Sequence, residues 1–344
     1  MRAVTLQAPG DVRVEERPEP ELTAPDEAIV AVEASGICGS DLHLYHGRIQ
    51  IEAGFTIGHE FVGTVLEAGS AVSGVAVGDR VLGCFCTACG TCFHCRHNDF
   101  HKCDNGRSFG LGAAMGSLQG SQAERVLVPH ANLTLRRVPE GMSDEVALFA
   151  GDVMGTAYHA VHSTALGPGE SCAVIGLGPV GLCAVQAARA AGAVSVLAID
   201  RVGDRLKMAE SFGAIPVHLD EDDAGAAVRE ATDGRGVDVA IDAVGHPDAL
   251  GLAIRLARAA GRISLTGVYA ERGEVHLGLI WIKALRLHAG PANVIAHLDP
   301  VMAMLAAGTL DPTPLVTHHM KLDEAAEAYA IYERREALKI LLRP

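Results

Sequence analysis

The chain has 344 residues, 49% of them hydrophobic and 20% charged, which is long enough for two modest cores and too apolar for wholesale disorder. Lys and Arg number 28 against 42 Asp and Glu, a net charge of -14. Such a surface repels phosphate backbones, and no basic run longer than Arg136-Arg137 offsets it, which excludes nucleic acid as a partner.

Before residue 150, β-rich runs at 28–32, 60–67, 80–83 and 123–128 alternate with turn signals, which predicts an irregular β region with long loops. After residue 169 strands and helices alternate. Strands are expected at 172–175, 195–199, 215–218, 237–243, 262–266 and 285–289, and helices at 179–191, 204–212, 224–232 and 247–259. Apolar strands spaced by helices imply a parallel sheet covered on both faces, hence an α/β fold with two domains. Residues 171–188 carry no charge over 18 positions, close to a membrane span. Three glycines and Pro179 inside that run fit a strand, a tight turn and a helix instead, so no membrane partner is expected. Beyond residue 290 come Pro291, Pro300, Pro312 and Pro314, then a helix at 322–333 and an apolar strand at 339–342.

Gly176-Leu177-Gly178-Pro179-Val180-Gly181 places G-x-G-x-x-G between a strand and a helix. The first glycine permits the turn, the second lets a pyrophosphate approach the backbone, and the third lets helix and strand pack. Free N–H groups at the helix start then meet the anion. Asp200 follows Gly181 by 19 residues and ends the next strand, where a carboxylate accepts ribose hydroxyls and repels a 2′-phosphate. NAD is therefore expected over NADP, with Arg201 as the residue that argues the other way.

The nine cysteines are an odd number and form no disulfide framework, and residues 1–16 contain no apolar leader, so a reduced, cytoplasmic setting is expected. Cys89, Cys92, Cys95 and Cys103 lie within fifteen residues, a spacing that suits one tetrahedral zinc. An iron–sulfur cluster is the rival reading, although its last gap is commonly shorter. Four protein ligands leave no open position, so a zinc held here is structural. Cys84 and Cys86 read as core or loop residues. A second set is scattered: Cys38, Ser40 and His43 in one segment, His59 and Glu60 in the next, and Asp152 much later. A cysteine, a histidine and a carboxylate from separate segments make a three-ligand zinc site with one position open for chemistry. A buried structural cysteine and a cysteine nucleophile with histidine as base are the alternatives.

Gly58-His59-Glu60-Phe61-Val62-Gly63, Gly69, Val72 and Val77-Gly78-Asp79-Arg80-Val81 complete a recognisable pattern. Together with Cys38-Gly39-Ser40-Asp41, the four-cysteine segment and the glycine turn, in that order, the chain resembles the zinc-dependent alcohol dehydrogenases of the medium-chain dehydrogenase/reductase superfamily over its whole length. The resemblance implies a GroES-like irregular β catalytic domain at 1–153 with a zinc lobe near 84–104, a Rossmann doubly wound parallel sheet at 154–290, and a return to the first domain at 291–344. It implies two zinc ions per chain, with Cys38, His59 and Asp152 as catalytic ligands and Glu60 either beside the metal or a transient ligand. By the same resemblance Ser40 is expected to take the substrate proton and His43 to pass it to solvent. Thr156 is expected to pack on the nicotinamide, Val268 to offer backbone to its carboxamide, Arg205 to reach the adenosine ribose and Lys339 to contact the pyrophosphate. The implied reaction moves a hydride between an alcohol or carbonyl substrate (polyol, secondary alcohol, amino-alcohol or aldehyde hydrate) and NAD. A substrate pocket near Ser40, Phe55, Phe109 and Met115 and a homo-dimer or tetramer are further expectations. A non-catalytic zinc-stabilised NAD-binding protein and a zinc-free quinone or enone reductase are the alternatives. The intact Ser40, His43 and His59 weigh against the first, and Cys38 with the four-cysteine segment against the second.

Overall fold

Alternating small and β-branched residues in Ala28–Gly36 give an extended strand that is apolar on both faces. It pairs antiparallel with Glu60–Ala68 so that Gly36 lies opposite Glu60. These two strands are the centre of a seven-stranded sheet in the computed structural model, which describes residues 1–270 and 272–344. Across that sheet run Val316–Lys321, Lys339–Arg343, Ala28–Gly36, Glu60–Ala68, Arg80–Gly83 and Leu135–Arg137, with Arg125–Val128 also paired to Ala28–Gly36. A second sheet of three strands holds the hairpin Arg2–Ala8 and Asp11–Glu16 with the short Phe55–Thr56. The hairpin was not among the expected strands.

Two compact units result: Met1–Asp152 with Asn293–Pro344, and Val153–Ala292. The second unit is built on six parallel strands. From edge to edge they are Ile215–His218, Ser195–Asp200, Ser171–Ile175, Val237–Asp242, Ala257–Leu265 and Arg286–Ala289. In chain order that is third, second, first, fourth, fifth, sixth, the Rossmann doubly wound arrangement. Helices Pro179–Ala190, Gly203–Ser211, Ala224–Ala231 and Pro247–Leu256 connect them. The last is shorter than the 247–259 expected from sequence: Ala257 already pairs with Val237, so the alanines that favour a helix are claimed by the sheet. Its core includes Ile175, Leu197, Ile199, Ala240, Ile254 and Ile263. No helix among the described residues is long and apolar enough to cross a membrane.

Candidate active site

The pairing of Gly36 with Glu60 sets the first part of the site. It leaves Cys38, two residues beyond one strand end, near His59 at the start of its neighbour. Ser40 begins the short helix Asp41–Tyr45, and Asp152 follows the helix Asp144–Ala150. One ligand atom each from Cys38, His59, Glu60 and Asp152 gather within 4.8 Å of one another. His59, Glu60 and Asp152 are buried.

His59 Nε2 lies 3.1 Å from Asp152 Oδ2 and 3.2 Å from Ser40 Oγ. Its other nitrogen, Nδ1, is 3.2 Å from Asp41 Oδ1, an ion-pair distance without hydrogen-bond alignment. The other Asp41 oxygen accepts the Cys38 N–H at 3.0 Å and faces Gln122 Nε2 at 3.4 Å. Gln122 also donates to the Gly36 carbonyl and accepts the Tyr329 hydroxyl at 2.9 Å. Asp41, Gln122 and Tyr329 are buried and form a brace beneath the ligands. Sequence reasoning passed over all three. Asp41 stood inside a quoted motif, and the general need of a ligating histidine for a carboxylate on its second nitrogen was the signal available.

The charges fit a cation. Burial, then the Asp152 charge, push the Cys38 thiol up. Burial would lower His59, but the Asp41 charge and the Asp152 hydrogen bond hold it well above the ordinary histidine value. Burial opposes ionisation of Asp152, yet the His59 contacts bring it down to about 2. A divalent ion would replace the protons on the thiol and the imidazole and neutralise the carboxylates, the donor chemistry of a zinc site.

The second donor group matches in kind. Cys89, Cys92, Cys95 and Cys103 offer sulfurs within 4.8 Å of one another, and Cys92 Sγ is 3.9 Å from Cys103 Sγ. The Cys89 N–H donates to Cys103 Sγ and the Cys95 N–H to Cys92 Sγ, so the loop backbone already stabilises thiolate charge. Slight burial raises the Cys89 thiol, but hydrogen bonds from Thr91, Asn105 and the backbone bring it down to about 5. Cys84 and Cys86 are buried outside this group, and burial pushes the Cys84 thiol up to about 12. None of the nine cysteines is paired with another in a disulfide.

In the second unit, Gly176 takes a positive φ of 86°, and a Cβ on Gly181 would stand 1.8 Å from the Gly176 carbonyl oxygen. Gly178 caps the helix, Pro179 occupies its first turn with Val180 next, and the space over Gly178 is open. Asp200 Oδ2 accepts the Leu177 N–H at 2.5 Å, and Oδ1 accepts those of Arg201 and Val202. The side chain of Arg201 is drawn to Asp220 at 3.0 Å. Arg205 is half-buried in the next helix, Thr156 is half-buried in Val153–Ser163, and Val268 is exposed after the fifth strand.

One expectation needs correction. Lys339 is fully buried, and its Nζ donates to both Glu60 oxygens at 2.7 Å and to the Ile37 carbonyl at 3.0 Å. All three ammonium donors are used within the first unit, which leaves none for a pyrophosphate. Phe55 and Phe109, near which a substrate pocket was expected, are both buried, and Phe109 packs edge-on against Phe61 with ring centroids 5.4 Å apart.

Comparison with known proteins agrees with this geometry. Residues 24–140 match the alcohol dehydrogenase GroES-like domain, and residues 179–293 the zinc-binding dehydrogenase domain. A probable zinc-binding alcohol dehydrogenase of Mycobacterium tuberculosis is 38% identical, across 100% of this chain and 89% of its own length. The alcohol dehydrogenase TADH from Thermus sp. ATN1 superposes with a TM-score of 0.96 at 42% identity, covering 100% of this chain and 99% of that one. A putative zinc-binding dehydrogenase from Sinorhizobium meliloti, solved bound to NADP, gives a TM-score of 0.88 at 31% identity over 100% and 99% of the two chains.

Proposed function

The chain belongs to the zinc-dependent alcohol dehydrogenase family of the medium-chain dehydrogenase/reductase superfamily, and from that premise we propose that it transfers a hydride between an alcohol, or an aldehyde hydrate, and NAD. One observation carries the reading: two separate four-residue donor groups, one all-thiolate and one mixed, with Ser40 against the mixed one. Cys38, His59 and Asp152 would hold a catalytic zinc, and the four lobe cysteines a structural one, giving two per chain. A zinc ion at the first site supplies Lewis acidity that lowers the pKa of an alcohol hydroxyl.

The chain's own groups do the rest. Asp41 orients His59 and, through the Cys38 N–H, fixes the turn that carries the thiol. Ser40 Oγ, close to the ligand nitrogen, is the acceptor for the substrate proton. His43 follows on the same short helix; burial, then Arg48 and His46, push its pKa down, so it is a neutral acceptor at pH 7. The glycine turn and Pro179–Ala190 would bind the pyrophosphate, with Thr156, Val268 and Arg205 as further dinucleotide contacts. Asp200 supports NAD over NADP because a 2′-phosphate would face its carboxylate, and Arg201 is engaged by Asp220.

The cysteines gathered in the two donor groups, which need a reducing compartment to remain thiols or thiolates, support a cytoplasmic setting. The strand Arg286–Ala289 is an exposed sheet edge, and the helix Leu277–Ile282 leaves Trp281 80% exposed, which supports pairing of copies into a dimer or tetramer. Sedimentation showing only monomers at micromolar concentration would remove that part.

The test joins metal analysis with a panel of alcohols read by NADH absorbance. Two zinc per chain and alcohol-dependent NAD reduction are expected. Fully metallated protein that reduces neither NAD nor NADP with any polyol, secondary alcohol, amino-alcohol or aldehyde would overturn the reading.

A further inference from the structure

Glu60, a member of the mixed donor group, is paired with a cation from outside it. Its two carboxylate oxygens each accept from Lys339 Nζ at 2.7 Å, and both side chains are wholly buried. The carboxylate also sits in a slot made by a missing side chain. A Cβ on Gly36, directly across the sheet, would stand 2.0 Å from Glu60 Oε2. Lys339 is fixed in turn by the Ile37 carbonyl at 3.0 Å and by the Phe149 ring, whose centroid lies 5.7 Å from Nζ. The strand Lys339–Arg343 runs beside Ala28–Gly36, so the ammonium is delivered by the sheet rather than by a mobile loop.

We propose that Lys339 is a positioning residue that restrains Glu60 from the metal, keeping the fourth coordination position open for substrate. This rests on the assignment of Cys38, His59 and Asp152 as zinc ligands. Three carboxylate or thiolate donors and one imidazole lie close enough to fill a tetrahedral site. A closed set of four protein ligands is structural, while a catalytic site keeps one position free. The bidentate ammonium contact supplies the competing cation that makes the difference. A buried carboxylate cannot be left unpaired, so removing Lys339 leaves the zinc as the nearest remaining cation.

The experiment uses the full-length protein with cobalt exchanged into the catalytic site, titrated with azide and read by the visible absorption bands. The all-thiolate lobe is closed, so the azide difference spectrum reports the mixed site alone. Wild type should respond. Lys339→Met should lose the response and release its catalytic metal to a chelator roughly tenfold more slowly, because Glu60 has become a ligand. Glu60→Gln/Lys339→Met, which removes both buried charges, should regain the response and the faster release. An intact azide response in Lys339→Met, with release no slower than wild type, overturns the proposal. So does a double variant as unresponsive as the single one. If Lys339→Met does not fold, the double variant and Glu60→Gln decide: both should bind azide, and failure of either counts against the proposal. Metal analysis separates the two levels of the argument: wild-type protein with only the lobe metal refutes the ligand assignment itself, whereas two metals with an unaltered Lys339→Met refutes only the role of Lys339.

Discussion

Replacing Asp41 by asparagine tests the brace under the metal site with the smallest change of shape. Asp41 turns an oxygen to each of two neighbours: Oδ1 lies at ion-pair distance, 3.2 Å, from His59 Nδ1, and Oδ2 takes the Cys38 N–H at 3.0 Å with Gln122 Nε2 at 3.4 Å. An amide has one oxygen and one NH₂, so it matches only one side. If the oxygen stays with Cys38 and Gln122, the NH₂ meets His59 Nδ1 and selects the tautomer with a proton on Nε2, the nitrogen needed for zinc. If the oxygen turns to His59, the Cys38 N–H is left facing a donor. Either way one buried donor loses its acceptor, at about 1–3 kcal/mol. If that cost falls on the metal-bound state, catalytic zinc affinity drops about 10–100-fold, the range usual when the partner of a ligating histidine is changed. Chelator competition followed by metal analysis reads the affinity, and the lobe zinc serves as the internal control. Turnover should fall with zinc occupancy and recover in part with added zinc. Asp41→Asn protein that holds its catalytic zinc as tightly as wild type would refute the reasoning, because no amide orientation satisfies both neighbours.

Three further outcomes follow from the geometry. Cys92→Ser should release one zinc per chain and lower Tm while the mixed site keeps its metal, since Cys92 both joins the sulfur group and caps the helix Phe93–Arg96; unchanged Tm would contradict a stabilising lobe. Asp200→Ala should raise kcat/KM with NADP relative to NAD, while weakening both dinucleotides, because the carboxylate also holds the Leu177 N–H of the glycine turn; an unaltered cofactor ratio in steady-state kinetics would exclude Asp200 as the selector. The lowered pKa of His43 keeps it neutral on descending through the ordinary histidine range near 6.5, so the acid limb of alcohol oxidation due to His43 should lie below that pH. A limb above that pH that disappears in His43→Gln would contradict the assignment.

The fold was largely legible because its signals are local. The strand–glycine–helix run at 172–191 carries its own periodicity, turn chemistry and helix start within twenty positions. The lobe cysteines were equally plain, since their ligand spacing is written in one loop. What escaped depends on partners far apart in the chain. Gln122 touches Tyr329 across 207 positions, and Lys339 touches Glu60 across 279, so neither spacing nor propensity marks them. Lys339 was expected to serve a phosphate on the family resemblance alone, with no local signal in the sequence to set its partner. Only the register of Lys339–Arg343 against Ala28–Gly36 shows that it points into the protein.

The division of the first unit into two separated stretches of chain also bears on synthesis. Lys339–Arg343 is an interior strand of the seven-stranded sheet, between Ala28–Gly36 and the edge strand Val316–Lys321, and the whole of Val153–Ala292 is translated in the interval. The contiguous unit can therefore complete its fold on the ribosome while the unit that began first still waits for an interior strand. Cys38, His59 and Asp152 leave the exit tunnel long before the lysine that pairs with Glu60. A nascent chain stalled near residue 300 should show protease-resistant Val153–Ala292 beside a protease-sensitive first stretch, and equal resistance of both would contradict this order. The four lobe cysteines have all emerged once Cys103 is translated, so a zinc held there would not have to wait for that strand.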